Sequence, residues 1–217
     1  MAANTKKCYE LADIDPALEC DAQDNMGGVV ESVIFGYHNE VATWPDLPVV
    51  KETAMSLDEA GALSGDVVMA NGSKAYKFAF TDNTGSFTIK PQGETGGESF
   101  LMELNMVSAR IRKKILGFMN ATKGRKLFFI VEDNNGMKYL MGDSRRGAIL
   151  ASDSDGATTG SSPTERNQTT LKFQFTSPRA LAYEGDCENL LTAAGGLLYF
   201  LFSFSSTAAV VEVFYCP

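Results

Sequence analysis

His38 is the only histidine in this chain, so a Ser-His-Asp or Cys-His arrangement would have to run through it. It stands in "GYHNE", in the middle of a strand-like run. "DSDGATTG" sets Asp153 and Asp155 ahead of Gly156, as cation-binding loops do. It lacks the third ligand position and a bidentate Glu at the right distance. The four cysteines, Cys8, Cys20, Cys187 and Cys216, form no C-x-x-C pair. A zinc site needs four ligands at workable spacing, which one histidine and these cysteines do not supply. They read as reduced thiols, their positions bringing the two termini near each other. No G-x-S-x-G, P-loop or G-x-G-x-x-G occurs, and nothing selects a carboxylate pair for acid–base work. The expectation is a protein that is not an enzyme, with no catalytic residues, no cofactor and no metal.

Charge narrows the partners. With 27 acidic against 19 basic residues the net charge is −8, which disfavours a general nucleic-acid binder, since phosphate affinity rests on clustered Lys and Arg. Positive charge concentrates at Arg110, Arg112, Lys113, Lys114, Lys123, Arg125 and Lys126. That cluster is either a solvated helix face or a docking surface for an acidic neighbour. "MAANTKKCYELADIDPALEC" has no apolar h-region, so no signal peptide is expected, and the sequons at Asn71, Asn120 and Asn167 read as chance matches. Between Glu188 and Glu212 no charged residue occurs. Two buried strands, 197–204 and 208–215, account for that stretch; membrane insertion is the alternative, short of apolar residues for a span of about 20. No membrane partner is expected.

The elements that would hold these residues are mostly strands. "VVESVIFGYHNEV" (29–41) carries a strand pattern that "TWPDLP" closes. "KAYKFAFTDNTGSFTIKPQ" (74–92) reads as a hairpin, and "ESFLMELNMV" puts Phe100, Met102, Leu104 and Met106 on one side. In "SARIRKKILGFMNATKG" a helix over 109–121 is predicted, with Ser108 as N-cap, an apolar stripe of Ile111, Ile115, Phe118 and Met119, and Gly124 as its stop. Strands 126–132 and 137–141 flank Asn135-Gly136, a two-residue type I′ turn signal. Counting from that turn sets Asp133 opposite Lys138, Val131 opposite Leu140 and Ile130 opposite Met141. Residues 143–168 read as one long Gly/Ser/Thr/Asp loop, too poor in large apolar groups to order itself. "TTLKFQFTS" then puts Leu171, Phe173 and Phe175 on one face. One β-rich domain over 1–217 is expected, with an extended N-terminal segment 1–28, the loop 143–168 and a C-terminal extension from about 187 to 217.

In "RKLFFIVEDNNGMKYLMGD" the run Leu127-Phe128-Phe129-Ile130-Val131 is unbroken, so both faces of that strand want cover. The helix can supply one. A sibling protomer is the expected cover for the other, because exposed apolar patches mark interaction sites.

The order strand, cationic helix, strand, Asn-Gly turn, strand ending "LMGD", polar loop and "TTLKFQFTSP" resembles the tail-tube and related structural proteins of tailed bacteriophages. "GFMNATKGRKLFFIVEDNNGMKYLMGDSRRGAILASDSDGATTGSSPTERNQTTLKFQF" looks like their core, and "NMGGVVESVIFGYHNEVATW" like the opening of such virion proteins. The C-terminal extension and the four cysteines find no counterpart in it. The resemblance implies a mainly β fold, a β-sandwich or barrel with one packed α-helix. It also implies protomers that close into rings and stack into the tail tube of the virion, after synthesis in the host cytoplasm. Partners would be further copies of the chain, other virion tail proteins, and DNA passing through the lumen without specific binding. Arg110, Arg112, Lys113, Lys114, Arg145, Arg146, Asp153 and Asp155 are the candidate assembly residues. The alternatives are another virion component (head–tail connector, capsid accessory or host-binding module) and an unrelated soluble β-rich binding domain.

Overall fold

The computed structural model describes residues 9–12, 14, 25–49 and 54–192, and the chain it describes is mostly β. The first half runs β1 (Ser32–Tyr37), β2 (Val41–Thr43), α1 (Leu57–Gly61), β3 (Ala62–Leu63), β4 (Val68–Met69), β5 (Tyr76–Ala79) and β6 (Ser86–Gln92). Then come β7 (Ser99–Ala109), α2 (Lys113–Thr122), β8 (Leu127–Glu132), β9 (Lys138–Met141), β10 (Ile149–Leu150), β11 (Gly156–Thr158), β12 (Gln168–Ser177) and β13 (Ala182–Tyr183). The expected strands at 197–204 and 208–215 lie outside the described residues, as do Cys8, Cys20 and Cys216 and most of segment 1–28. Among the described residues no helix is long and apolar enough to cross a membrane.

Period-two alternation builds one sheet. Met102, Leu104 and Met106 on β7 and Leu171, Phe173 and Phe175 on β12 share a buried face, as their spacing predicts. The two strands pair antiparallel from Gln168 opposite Ala109 to Ser177 opposite Phe100. With its neighbours this sheet runs β10-β12-β7-β6, and β11 also pairs with β12. A second sheet runs β5-β1-β8-β9. It presents Val33, Leu127, Phe129 and Val131 to the first, and the rings of Phe129 and Phe173 meet 4.6 Å apart. α2 covers part of this core with buried Ile115 and with Phe118, whose ring meets Phe35 edge-on at 5.1 Å. The fold is a two-sheet sandwich with α2 packed on it.

The other face of β8 carries Phe128 and Ile130, and the chain covers it itself. Leu63, Val67, Met69, Leu181, Tyr183 and Leu190 pack over it in a second core. Leu63, Met69 and Tyr183 come from an outer layer of two short ribbons, antiparallel β2/β4 and parallel β3/β13; Val67 and Leu181 immediately precede strands of it, and Leu190 comes from a 3-10 turn, Asn189–Leu191. Phe128 is 0% exposed and Ile130 3%. The expectation that a sibling protomer must cover this face is therefore corrected. Its close packing depends on Gly36, Phe128's cross-strand partner, where an added Cβ would stand 2.6 Å from the phenyl ring.

The hairpin register also differs from the count. Glu132 faces Lys138, Val131 faces Tyr139, Ile130 faces Leu140 and Phe129 faces Met141, a shift of one residue. The cause is Asp133, whose carboxylate accepts the Asn135 and Met137 N–H groups, both at 2.9 Å. This favours a tight turn closed by the Gly136 N–H on the Asp133 carbonyl, 3.1 Å. Only Gly136, at φ +86°, is left-handed there, whereas a type I′ turn needs Asn135 left-handed as well. The extra turn residue moves the register, and such a slip exchanges the faces of a strand.

Three further expectations are corrected. α2 begins at Lys113, not 109, because β7 continues through Ala109 on β12 and Ser108 is buried in that strand. Arg110 turns the chain at φ +69°, and Asn167 accepts the Arg110 and Ile111 N–H groups on its carbonyl and side-chain oxygens. Residues 74–92 are no hairpin: β5 belongs to one sheet and β6 to the other. The chain changes sheets between Phe80, whose N–H reaches Glu31, and Thr81, whose N–H reaches Val107. The loop 143–168 contains β10 and β11, both paired to β12.

These packing assignments are testable. Phe128→Ala should lower unfolding free energy by about 3–5 kcal/mol, measured by urea titration of dilute protein. The loss should not vary with protein concentration, because the cover lies within one chain. Ile115→Asp should destabilise the fold by at least about 3 kcal/mol, since it buries a carboxylate beneath α2. A thermal midpoint unchanged from wild type would contradict the placement of that helix.

Candidate assembly surfaces

Arg110, Arg112, Lys113 and Lys114 gather where β7 hands over to α2, all exposed. The first turn of α2 holds no acidic residue and its N-cap, Arg112, makes no side-chain cap. Cations at the positive end of a helix dipole are unfavourable by about 0.3–1 kcal/mol each. None of the ion pairs among the described residues involves these four. At the other end of the helix, Arg125 lies over the Tyr37 ring, 5.6 Å from its centroid.

The remaining candidates stand elsewhere along β12. Asp153 binds Lys172 Nζ at 2.6 Å, and Asp155 is exposed two residues on. Arg145 and Arg146 sit in the turn after β9, where the Asp143 carboxylate accepts both their N–H groups at 2.7 and 2.6 Å. Arg146 also reaches the Thr176 carbonyl, 3.5 Å. The eight residues are thus strung beside β12, from Arg110 near Gln168 to Arg146 near Thr176. At about 3.3 Å per residue that span is too long for one site.

The outer face of the same sheet carries a charge network that the sequence did not suggest. Glu103 points away from the core yet its side chain is only 8% exposed, because lysine stems lie over it. Lys90 binds one carboxylate oxygen at 2.6 Å; Lys172, at 2.8 Å, and the Gln174 amide, at 2.9 Å, bind the other. Hydrogen bonds from Lys172, then Lys90, then Gln174, hold its pKa down at about 2. With Asp153 also on Lys172, two carboxylates offset the two lysines in place.

A cleft of about 920 Å³ opens where the 41–49 segment, the turn after β9 and the chain after β12 converge. Its floor includes Leu63, Met102, Leu140, Phe175 and Leu181, and Arg145, Arg146 and Arg179 stand on its rim. Trp44, the chain's only tryptophan, forms one wall. Its ring packs 4.9 Å from His38, whose Nε2 lies 2.6 Å from the Asp143 carbonyl, and edge-on to Phe128. His38 is thereby engaged in packing. Arg179 donates to the Pro48 carbonyl. An adjoining cleft of about 860 Å³ is rimmed by Asp46, Glu59, Asp66 and Glu184. Among the described residues no three His, Cys, Asp or Glu side chains come together as metal ligands. Cys187 is half-buried, and burial pushes its thiol pKa up.

Glu103 gives a pH test. Its folded pKa, about 2, lies below the usual 4.5, so its contribution is complete above the usual value and is lost as pH falls through about 2. Glu103→Gln should cost about 1–3 kcal/mol near neutral pH and should flatten the stability profile across that acid window, read by denaturant titration at stepped pH. An equally steep acid profile in the variant would assign the acid sensitivity elsewhere. No known protein family, curated protein or solved structure matches this chain.

Proposed function

We propose that this chain is a structural protein of a tailed-bacteriophage virion, assembling through head-to-tail contacts into stacked rings that form the tail tube. The observation that carries the reading is the sorting of cations over the surface. On the outer face of the β7/β12 sheet, Lys90 and Lys172 are bound to Glu103 and Asp153. The cations at the start of α2 have no such partners among the described residues. A conduit for DNA needs a wall that does not trap phosphate, and a polar face with its lysines neutralised is such a wall. Unpaired cations serve better at a contact between protomers, where an acidic neighbour can meet them.

Large apolar side chains left in water also favour association: Leu116 on α2 is 40% exposed, Ile149 49% and Val49 69%. A stable contact should bury more than about 1,000 Å², and a head-to-tail contact closes into a ring where its rotation permits. Concentrated protein should yield rings or tubes by negative-stain microscopy, and they should persist at high salt, where contacts made by charge alone weaken. A monodisperse monomer under those conditions would remove the reading.

Lys113→Glu separates assembly from folding. Placing an acid in the first turn of α2 should raise stability by about 0.3–1 kcal/mol while impairing assembly. Amides in the polar parts of 143–168 should exchange faster in the monomer than in the assembly. Assembly of Lys113→Glu at the wild-type concentration would clear α2 of any part in the contact.

A further inference from the structure

The segment "ELADID", residues 10–15, alternates acids with large apolar side chains. Leu11 is 85% exposed and Ile14 79%, the two most exposed large apolar side chains among the described residues. Tyr9 forms a bridge with Met55, and the Glu10 N–H donates to the Met55 carbonyl at 2.8 Å. The segment is thus tied to the surface at its start, while Leu11 and Ile14 remain in water.

The Trp44 cleft has the complementary character. Its floor is apolar, its lip includes Leu47 and Val49, themselves 42% and 69% exposed, and its rim carries three guanidinium groups. Arg145 has no ion-pair partner among the described residues. An apolar floor with an arginine rim suits an extended segment that alternates Leu or Ile with carboxylates: the apolar side chains fill the floor and the acids meet the rim.

We infer that the acidic–apolar strip of one copy, centred on Leu11 and Ile14, docks into the Trp44 cleft of a second copy. The inference rests on the proposed self-association and names one contact within it. Such a contact is heterologous, since the strip of the second copy stays free to engage a third. A strip this short buries less than the roughly 1,000 Å² of a stable interface, so it acts as a latch on a larger contact. Docking also removes Trp44 from water, and no other tryptophan competes with its signal.

Two variants of the full chain test the latch. Leu11→Asp/Ile14→Asp spoils the strip, and Leu47→Asp/Arg145→Glu spoils the cleft; all four positions are exposed, so folding should survive. Sedimentation velocity and Trp44 emission are followed against concentration. Wild type should grow in mass with a blue shift of Trp44, and each variant alone should associate at least about tenfold more weakly. Mixed in equal amounts, the two variants should favour a heterodimer, because one good strip and one good cleft remain between them and any further growth must use a junction with a spoiled latch. Wild-type-like association of the strip variant would overturn the latch, and tubes formed by both variants would do so while leaving the tail-tube reading in place. A strip-dependent Trp44 shift without any change in mass would mean that the strip fills its own cleft, which also overturns it. A heterodimer favoured in the mixture, from a chain whose wild type makes no tube, would keep the latch and remove the tube. A wild type that stays monomeric removes both.

Discussion

Every layer of this protein is built on β8. Leu127, Phe129 and Val131 enter the core between the sheets, while Phe128 and Ile130 enter the core beneath the outer layer. A strand buried on both faces cannot alternate apolar with polar, so five consecutive large apolar residues are what this position demands. The two cores share a single wall. Loss of packing in either one exposes the other's support, which makes the sandwich and the outer layer one cooperative body and not a domain with an appendage.

The surface chemistry follows from the same layering. With β8 covered on both sides, the exposed sheet face belongs to β6, β7 and β12, and along β12 the burial alternates residue by residue. Its outward positions collect the Lys90–Glu103–Lys172–Asp153 network. The cations that join no such network stand at the start of α2, and the arginine-rimmed cleft opens where the sheets meet the outer layer. Neutralised charge on a broad sheet face and uncompensated charge at the margins is a distribution suited to contacts made edge to edge.

Local patterning was legible where one face is wet. Met102, Leu104 and Met106, Leu171, Phe173 and Phe175, and the pair Ile115 and Phe118 all took the sides that their spacing indicates. Choices decided by a distant partner were not legible. Ser108 has the chemistry of a cap, but pairing with β12 holds it in a strand. The Asn-Gly letters suit two turns, and the Asp133 carboxylate selects between them. Phe80 and Thr81 follow each other in sequence yet bond to different sheets. The capping box of α1, Ser56 with Glu59, is by contrast a local signal carried by the sequence. The cleft joins Trp44, Arg145 and Arg179 from segments far apart in the chain, so no window of sequence could hold it.

The contact between Gly36 and Phe128 has a consequence for how this sequence can change. The phenyl ring occupies the space where any side chain at position 36 would begin. Trp44 meets the same ring edge-on, and both its indole and the Phe128 Cβ lie 3.1 Å from where a Cβ at 142 would stand. These positions form a unit of size, in which an increase at one is tolerated only with a decrease at another. In divergent descendants of this chain, a residue larger than glycine at 36 should therefore arrive together with a side chain smaller than phenylalanine at 128, and seldom before it.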